Sequence, residues 1–240
     1  MEKLYQTFIQ KALQANQKIK HHITQNLSKF DYQDTNKIGA GGDKTKQIDT
    51  IAEGIFVSYL GDFCDIVSEE SGLIKSQKNL IPNALMIIDP LDGSDNFVSN
   101  LPYYGTSVSL RIGDIPTIGI VYNLINDNYI FRTPFETNII DKGVLESNFG
   151  IFERAYTSPD IVTKLHTLQL KFRSPGATAL SLANANNLQF FLLAGKMRNF
   201  DIDAGLFICK DLYIYQNEKF LLVSKNSTIF KNIKEIIKGY

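Results

Sequence analysis

Met86–Ile87–Ile88–Asp89–Pro90–Leu91–Asp92–Gly93–Ser94–Asp95–Asn96–Phe97 is the stretch from which the rest of the chain is best read. The apolar run Leu85 to Ile88 has the make-up of a buried strand, and it ends on an aspartate. Proline follows, which biases Asp89 towards extended backbone, and the strand is expected to stop there. Asp92–Gly93 is a tight-turn pair, and Gly93–Ser94 leads into a segment able to start a helix. One turn therefore gathers two carboxylates, a hydroxyl and several backbone N–H groups. Hard divalent cations take carboxylate and carbonyl oxygens, whereas phosphate takes N–H groups at a helix start. Taken alone, Asp-x-x-Asp-Gly is also an ordinary turn, because Asp and Gly are common turn residues.

A phosphatase of the haloacid-dehalogenase type also sets an aspartate nucleophile after an apolar strand. It needs its second aspartate two residues later, where this chain has Leu91. The whole string instead resembles the signature of the inositol monophosphatase family, magnesium-dependent and lithium-sensitive phosphatases of sugars and inositols. There Asp-Pro-(Ile/Leu)-Asp-Gly-(Thr/Ser)-x-Asn-Phe recurs. Asp89, Pro90, Leu91, Asp92, Gly93, Ser94, Asn96 and Phe97 all fit, with Ser94 in place of the commoner Thr.

Upstream of the turn, residues 2–28 carry apolar side chains at largely helical spacing and predict an amphipathic helix. Ile38–Gly39–Ala40–Gly41–Gly42–Asp43 is a glycine-rich hinge without the Gly-x-x-x-x-Gly-Lys-(Ser/Thr) of a phosphate-cradling loop. Lys44 to Leu60 read as a second helix, and Phe63 to Ser68 as a strand ending on Glu69–Glu70–Ser71–Gly72. The order Gly-Asp-x-Thr-x-x-x-Asp-x-x-Ala-Glu, with Asp43, Thr45, Asp49 and Glu53, looks like the stretch with which the family supports its metal site. It is nearer the bisphosphatase-like branch than the animal inositol enzymes. The resemblance implies that Glu69 is a metal ligand and that Asp49 holds the residue orienting the attacking water. Thr45 and Glu70 would support a third, weaker metal site.

Downstream, Thr106 to Ile112 and Ile115 to Leu124 are β-branched runs joined by Gly113–Asp114, a hairpin signal. Short strands are expected at Tyr129–Phe131, Asn138–Ile140, Leu168–Phe172 and Phe220–Val223. Helices are expected from Pro159 to about Leu165, after Gly176, after Asp201 as cap, and from about Thr228. Antiparallel strands in succession argue for a large sheet rather than a wound parallel one. Arg173–Ser174–Pro175–Gly176–Ala177–Thr178–Ala179–Leu180 is similar to the family's Arg-Ser-x-Gly-(Ser/Thr)-Ala-Ala-Leu, whose backbone near the glycine faces substrate. Phe200–Asp201–Ile202–Asp203–Ala204–Gly205 is a looser match to Trp-Asp-x-Ala-Ala-Gly, whose Asp is a metal ligand.

Lys+Arg and Asp+Glu number 25 each, so no net field draws the chain to nucleic acid or to an anionic membrane. No apolar run is long enough to span a bilayer, and Cys64 and Cys209 lack metal or redox spacing. These features predict a soluble cytoplasmic protein with buried free thiols.

The resemblance covers residues 38 to about 210. It implies an α+β fold, a layered α-β-α-β-α sandwich with mixed and antiparallel sheets, usually a homodimer. The expected organisation is one domain over 1–240, with an N-terminal metal-binding lobe to about 125 and a C-terminal lobe from about 126. The implied chemistry is hydrolysis of a phosphate monoester of a small sugar or polyol, such as inositol 1-phosphate, with two or three Mg²⁺ ions. Fructose 1,6-bisphosphate and a 3′-phosphonucleotide are alternatives, as is a catalytically idle regulatory protein. Glu69, Asp89 and the Leu91 carbonyl would hold one ion, and Asp89, Asp92 and Asp201 the second. Ser94, oriented by Asp49, would position the water, with Glu69 beside it. The Gly93 and Ser94 amides would bind phosphate, and Gly176 and Ala177 would face substrate. The inositol enzymes carry a substrate-binding glutamate near the position of Ala194, yet no Asp or Glu occurs from Gly176 to Phe200. Lys196 and Arg198, two apart in a predicted strand, would instead share a face and clamp a second anion.

Overall fold

The computed structural model describes residues 1–139 and 147–240. In chain order the elements are α1 (Glu2–Gln25), β1 (Asp34–Ile38), β2 (Lys44–Lys46), α2 (Gln47–Leu60), β3 (Asp65–Ser68), β4 (Gly72–Ile74) and β5 (Ala84–Asp92). Then come α3 (Ser94–Val98), β6 (Gly105–Ile112), β7 (Ile115–Asn123), β8 (Tyr129–Arg132), β9 (Gly150–Glu153), α4 (Pro159–Thr167) and β10 (Phe172–Arg173). The chain closes with α5 (Thr178–Ala183), β11 (Phe191–Ala194), α6 (Asn199–Ile208), β12 (Tyr213–Gln216), β13 (Phe220–Ser224) and α7 (Ser227–Ile237).

Hydrophobic burial sorts these elements into five layers. Helices α1 and α2 cover one face of a six-stranded sheet of order β4-β3-β5-β6-β7-β8. Helices α5 and α6 fill the space between its other face and a five-stranded sheet of order β10-β9-β11-β13-β12. Helices α4 and α7 close the far side of that second sheet. This is the α-β-α-β-α order expected from the sequence. Because both faces of the second sheet are covered, its central strands are apolar throughout, and alternate residues serve different cores. Leu193, Leu221 and Val223 face the middle layer, while Leu192, Phe220 and Leu222 face the outer one.

The β6–β7 hairpin turns at Gly113 (φ 58°) with Ile112 opposite Ile115, as the Gly–Asp pair predicts. Glycine is required sterically at Gly119, where an added Cβ would lie 2.6 Å from the Ala204 carbonyl oxygen of α6. Asn16, buried in α1, accepts a hydrogen bond from Thr106 Oγ1 at 2.6 Å and so ties the helix to β6. Cys64 and Cys209 are buried free thiols whose pKa values burial pushes up to about 12. Among the described residues, no helix is long and apolar enough to cross a membrane.

Several local expectations fail for tertiary reasons. Residues 44–46 form β2, paired with β1 around the glycine-rich turn, and the helix starts only at Gln47. The strand containing Asp89 does not stop at Pro90. It runs to Asp92 through a register shift in which Asp89 faces Ser107 and Asp92 faces Gly105. A bulge leaves a residue without ladder bonds, so proline's missing N–H costs nothing there. The predicted strand over 168–172 shrinks to Phe172–Arg173, because α4 extends to Thr167. Asn138 and Ile139 lie outside any strand, and the remainder of that expected strand lies outside the described residues.

Candidate active site

Strand ends build the site. β3 and β5 run parallel with Ser68 opposite Ile88, so Glu69 and Asp89 emerge at the same sheet edge. The Glu69 N–H donates to the Ile88 carbonyl at 3.1 Å and fixes that alignment. Asp201 arrives from the first turn of α6, where a negative charge complements the helix dipole. It does not cap the helix as the sequence implies: the cap position is Arg198. One oxygen from each of Glu69, Asp89 and Asp201 lies within 4.8 Å of the other two. Asp92 sits beside them, but its Oδ2 accepts the Leu180 N–H of α5 at 2.8 Å.

These carboxylates line one wall of an open cleft of about 830 Å³. Burial, opposed by Arg198 and reinforced by Asp201 and Glu70, pushes Glu69 up to about 7. Burial pushes Asp92 up to about 8, against the Leu180 hydrogen bond and with help from the Asp201 charge. Asp89 is held well above the usual carboxylate range by burial and by the charges of Glu69, Asp92 and Asp201. Buried, converging and mutually repelling oxygens call for positive charge. All the donors are hard oxygens, which fits a divalent cation such as Mg²⁺.

The side of the cleft around Asp49 and Ser94 differs from the sequence expectation. Asp49 Oδ2 accepts the Lys46 N–H at 2.8 Å, while its buried Oδ1 has no hydrogen-bond partner. Burial pushes Asp49 up to about 7. Ser94 Oγ is bonded not by Asp49 but by Lys46 Nζ, at 3.3 Å, and the same ammonium reaches Asp95 Oδ1 at 3.0 Å. Thr45 Oγ1 donates to Glu70 Oε2.

On the opposite wall, Gly176 lines the cleft at φ 86°, with its N–H donated to Glu153 Oε2 at 3.0 Å. Ala177 is buried in the middle core and does not line the cleft. Asn96 Nδ2 donates to the Tyr103 and Pro175 carbonyls at 2.7 and 2.8 Å, clamping the aspartate turn to the Gly176 loop. The strand expected to present Lys196 and Arg198 on one face ends at Ala194, and Gly195 (φ 86°) turns the chain away. Lys196 remains exposed at the cleft. Arg198 turns into the acidic cluster and pairs with Glu69, Asp201 and Asp43.

Sequence reasoning passes over Glu153 and Arg154, which line this cleft, and over Lys46, which bonds two of its lining residues. Lys46 reads as an ordinary residue at a helix start. Buried Glu153 and left-handed Arg154 (φ 59°) end the apolar strand β9, and a charged pair after Ile151–Phe152 was the available signal. Arg154 donates to the Lys196 carbonyl at 2.5 Å and to Asp201 Oδ2 at 3.3 Å.

The profile of the inositol monophosphatase family matches residues 1–212. A fructose-1,6-bisphosphatase of Pyrococcus furiosus is 33% identical over 101 residues, covering 42% of this chain and 38% of that protein. An inositol-1-monophosphatase of Synechocystis is 30% identical over 195 residues, covering 72% of this chain and 66% of that protein. The matched stretch spans less than two thirds of the length of either relative. Among solved structures, the extragenic suppressor protein SuhB of Bartonella henselae aligns with a TM-score of 0.76 at 20% identity, over 99% of each chain. At that identity the likeness speaks for the fold alone.

Proposed function

The chain belongs to the inositol monophosphatase family, and from that premise we propose that it hydrolyses a phosphate monoester of a small sugar or polyol, with Mg²⁺ as cofactor. The observation that carries this reading is the convergence of Glu69, Asp89 and Asp201 within 4.8 Å at the wall of a solvent-open cleft. Glu69, Asp89 and the Leu91 carbonyl would hold one ion, and Asp89, Asp92 and Asp201 a second. Bound there, the ions would supply Lewis-acid charge and lower the pKa of water.

Phosphate monoesters hydrolyse so slowly that enzymes accelerate them by up to ~10²¹, so positioning and charge must both contribute. In the reaction a water oxygen bonds to phosphorus as the ester P–O bond breaks, and the leaving alkoxide takes up a proton. The Gly93 and Ser94 amides, at the start of α3, bind the phosphate oxygens. Lys46 Nζ donates to Ser94 Oγ, which leaves the serine O–H free to orient a cleft partner. Asp49 lines the cleft with its Oδ1 buried and without a hydrogen-bond partner, which supports a role in which it would hold the proton of the attacking water. Glu153 fixes the Gly176 loop through the Gly176 N–H and Ser181 Oγ, and so shapes the wall facing the leaving group.

A second anionic group on the substrate is favoured by one feature. Arg154 and Lys196 line the cleft, and the segment from Gly176 to Phe200 holds no carboxylate to repel that group. The test is phosphate release with Mg²⁺ from inositol 1-phosphate, fructose 1,6-bisphosphate and 3′-phosphoadenosine 5′-phosphate. Mg²⁺-dependent release is expected, fastest on fructose 1,6-bisphosphate, and Lys196→Ala should raise KM for it more than for inositol 1-phosphate. No release from any of the three refutes the activity, and a preference for inositol 1-phosphate refutes the second anion.

A further inference from the structure

Arg198 is engaged with the acidic cluster from several sides at once. Its Nη2 lies 2.9 Å from Asp201 Oδ1 and its Nε 3.0 Å from Asp201 Oδ2, a two-pronged grip on one carboxylate. Its Nη1 lies 2.7 Å from Glu69 Oε1 and 2.6 Å from Asp43 Oδ2. Glu69 and Asp201 belong to the group of three converging carboxylates, whereas Asp43 stands outside it and is largely exposed. The guanidinium therefore covers oxygens that a metal ion would need. It carries donors only and stays protonated, so it cannot itself ligate an ion.

We infer that Arg198 is a resident counter-ion of this cluster, competing with the metal for Glu69 and Asp201, and that loading requires its guanidinium to release at least one of them. The inference rests on the metal site proposed above and adds a determinant of its affinity. Two features give the displaced side chain somewhere to go. Asp43 offers a partner outside the cluster, and Arg198 also borders a second cavity of about 290 Å³ lined by Val67, Leu85, Ile87 and Phe200. The competition has a definite sign. Removing the arginine takes the Arg198 charge from Glu69 and leaves Asp201 with Arg154 alone, at 3.3 Å, in the metal-free protein, and removes a repelling cation from the metal-bound one. Both effects strengthen metal binding.

The experiment is calorimetric titration of the chelator-stripped full chain with MgCl₂, without substrate. Arg198→Met is expected to bind Mg²⁺ at least about tenfold more tightly than wild type, since hydrogen bonds between charged groups carry that much free energy. Arg198→Lys, whose single ammonium cannot grip Asp201 and Glu69 together, is expected to fall between them. In chelator the Met variant should melt below wild type, and Mg²⁺ should close the gap. Should Arg198→Met fail to fold, Arg198→Lys decides alone. Mg²⁺ affinity equal to or weaker than wild type in the folded variants, or no Mg²⁺ binding by any form, overturns the inference. Because no substrate is present, tighter binding by a protein that hydrolyses no phosphate ester would refute the proposed activity and leave the competition standing.

Discussion

Asp89→Asn separates the electrostatic burden of the acidic cluster from its chemistry. Asp89 is 3% exposed, and its carboxylate lies within 4.8 Å of those of Glu69 and Asp201. Two unit charges at that separation repel by ~3.5 kcal/mol at an effective dielectric of ~20. The metal-free protein escapes most of this by taking up protons, and Arg198 offsets part of the rest. We therefore expect removal of the Asp89 charge to stabilise the chelated protein by about 2 kcal/mol at mildly alkaline pH. The Leu91 N–H, which donates to Asp89 Oδ1 at 3.0 Å, keeps an acceptor in the asparagine oxygen, so the local fold survives. For a chain of this size the gain corresponds to a rise in Tm of ~4–8 °C. Circular-dichroism melts in EDTA and in excess Mg²⁺ read both halves of the argument. Wild type should gain stability from Mg²⁺ by mass action, the variant should gain little, and its turnover should fall by at least ~10³-fold. A variant that melts below wild type in EDTA, or that keeps the full Mg²⁺-dependent shift, refutes the reasoning.

Two further expectations come from the same cleft. Glu69 and Asp49 rise from ordinary values of 4.5 and 3.8 to about 7, so between those limits the folded metal-free protein binds more protons than the unfolded chain. Stability in chelator should then decline as pH rises from roughly 5 to 8, by up to ~1.4 kcal/mol per pH unit for each group, and go on declining above that window, because Asp92 titrates at about 8 and Asp89 is also held high. Urea midpoints measured across this range check the sign, and a midpoint that climbs with pH in EDTA contradicts it. Lys46→Met should lower kcat by up to ~10²-fold with little change in KM, because Ser94 Oγ loses the donor that holds its position. Unchanged kcat in a protein that Ser94→Ala does slow would remove the lysine from the cleft's working parts.

What the sequence discloses about this fold is what is local. The β6–β7 hairpin is legible because Gly113 and the flanking alternation sit within one short segment. The aspartate turn is legible for the same reason, since strand end, proline and glycine adjoin one another. The layer order is what the family resemblance implies; no single run's period states it. The departures all depend on a distant partner. Pro90 reads as a stop until β6 is in place to accept a bulge, and residues 44–46 read as helix until β1 folds back along them. Arg198 is the sharpest case. In sequence it is one of two cations in an apparent strand, with a free face for an anion. In space, Gly195 ends that strand and α6 begins at Asn199, which leaves Arg198 at the helix cap, three residues before Asp201. From there it meets Glu69 and, 155 residues away, Asp43, neither of which its own segment announces. A cation that pattern alone assigns to the substrate is spent on the acids of the cluster. Arg154 also reaches Asp201, at 3.3 Å, so a second anion on the proposed substrate falls first to Lys196, and our proposal leaves the affinity of the metal site to Arg198.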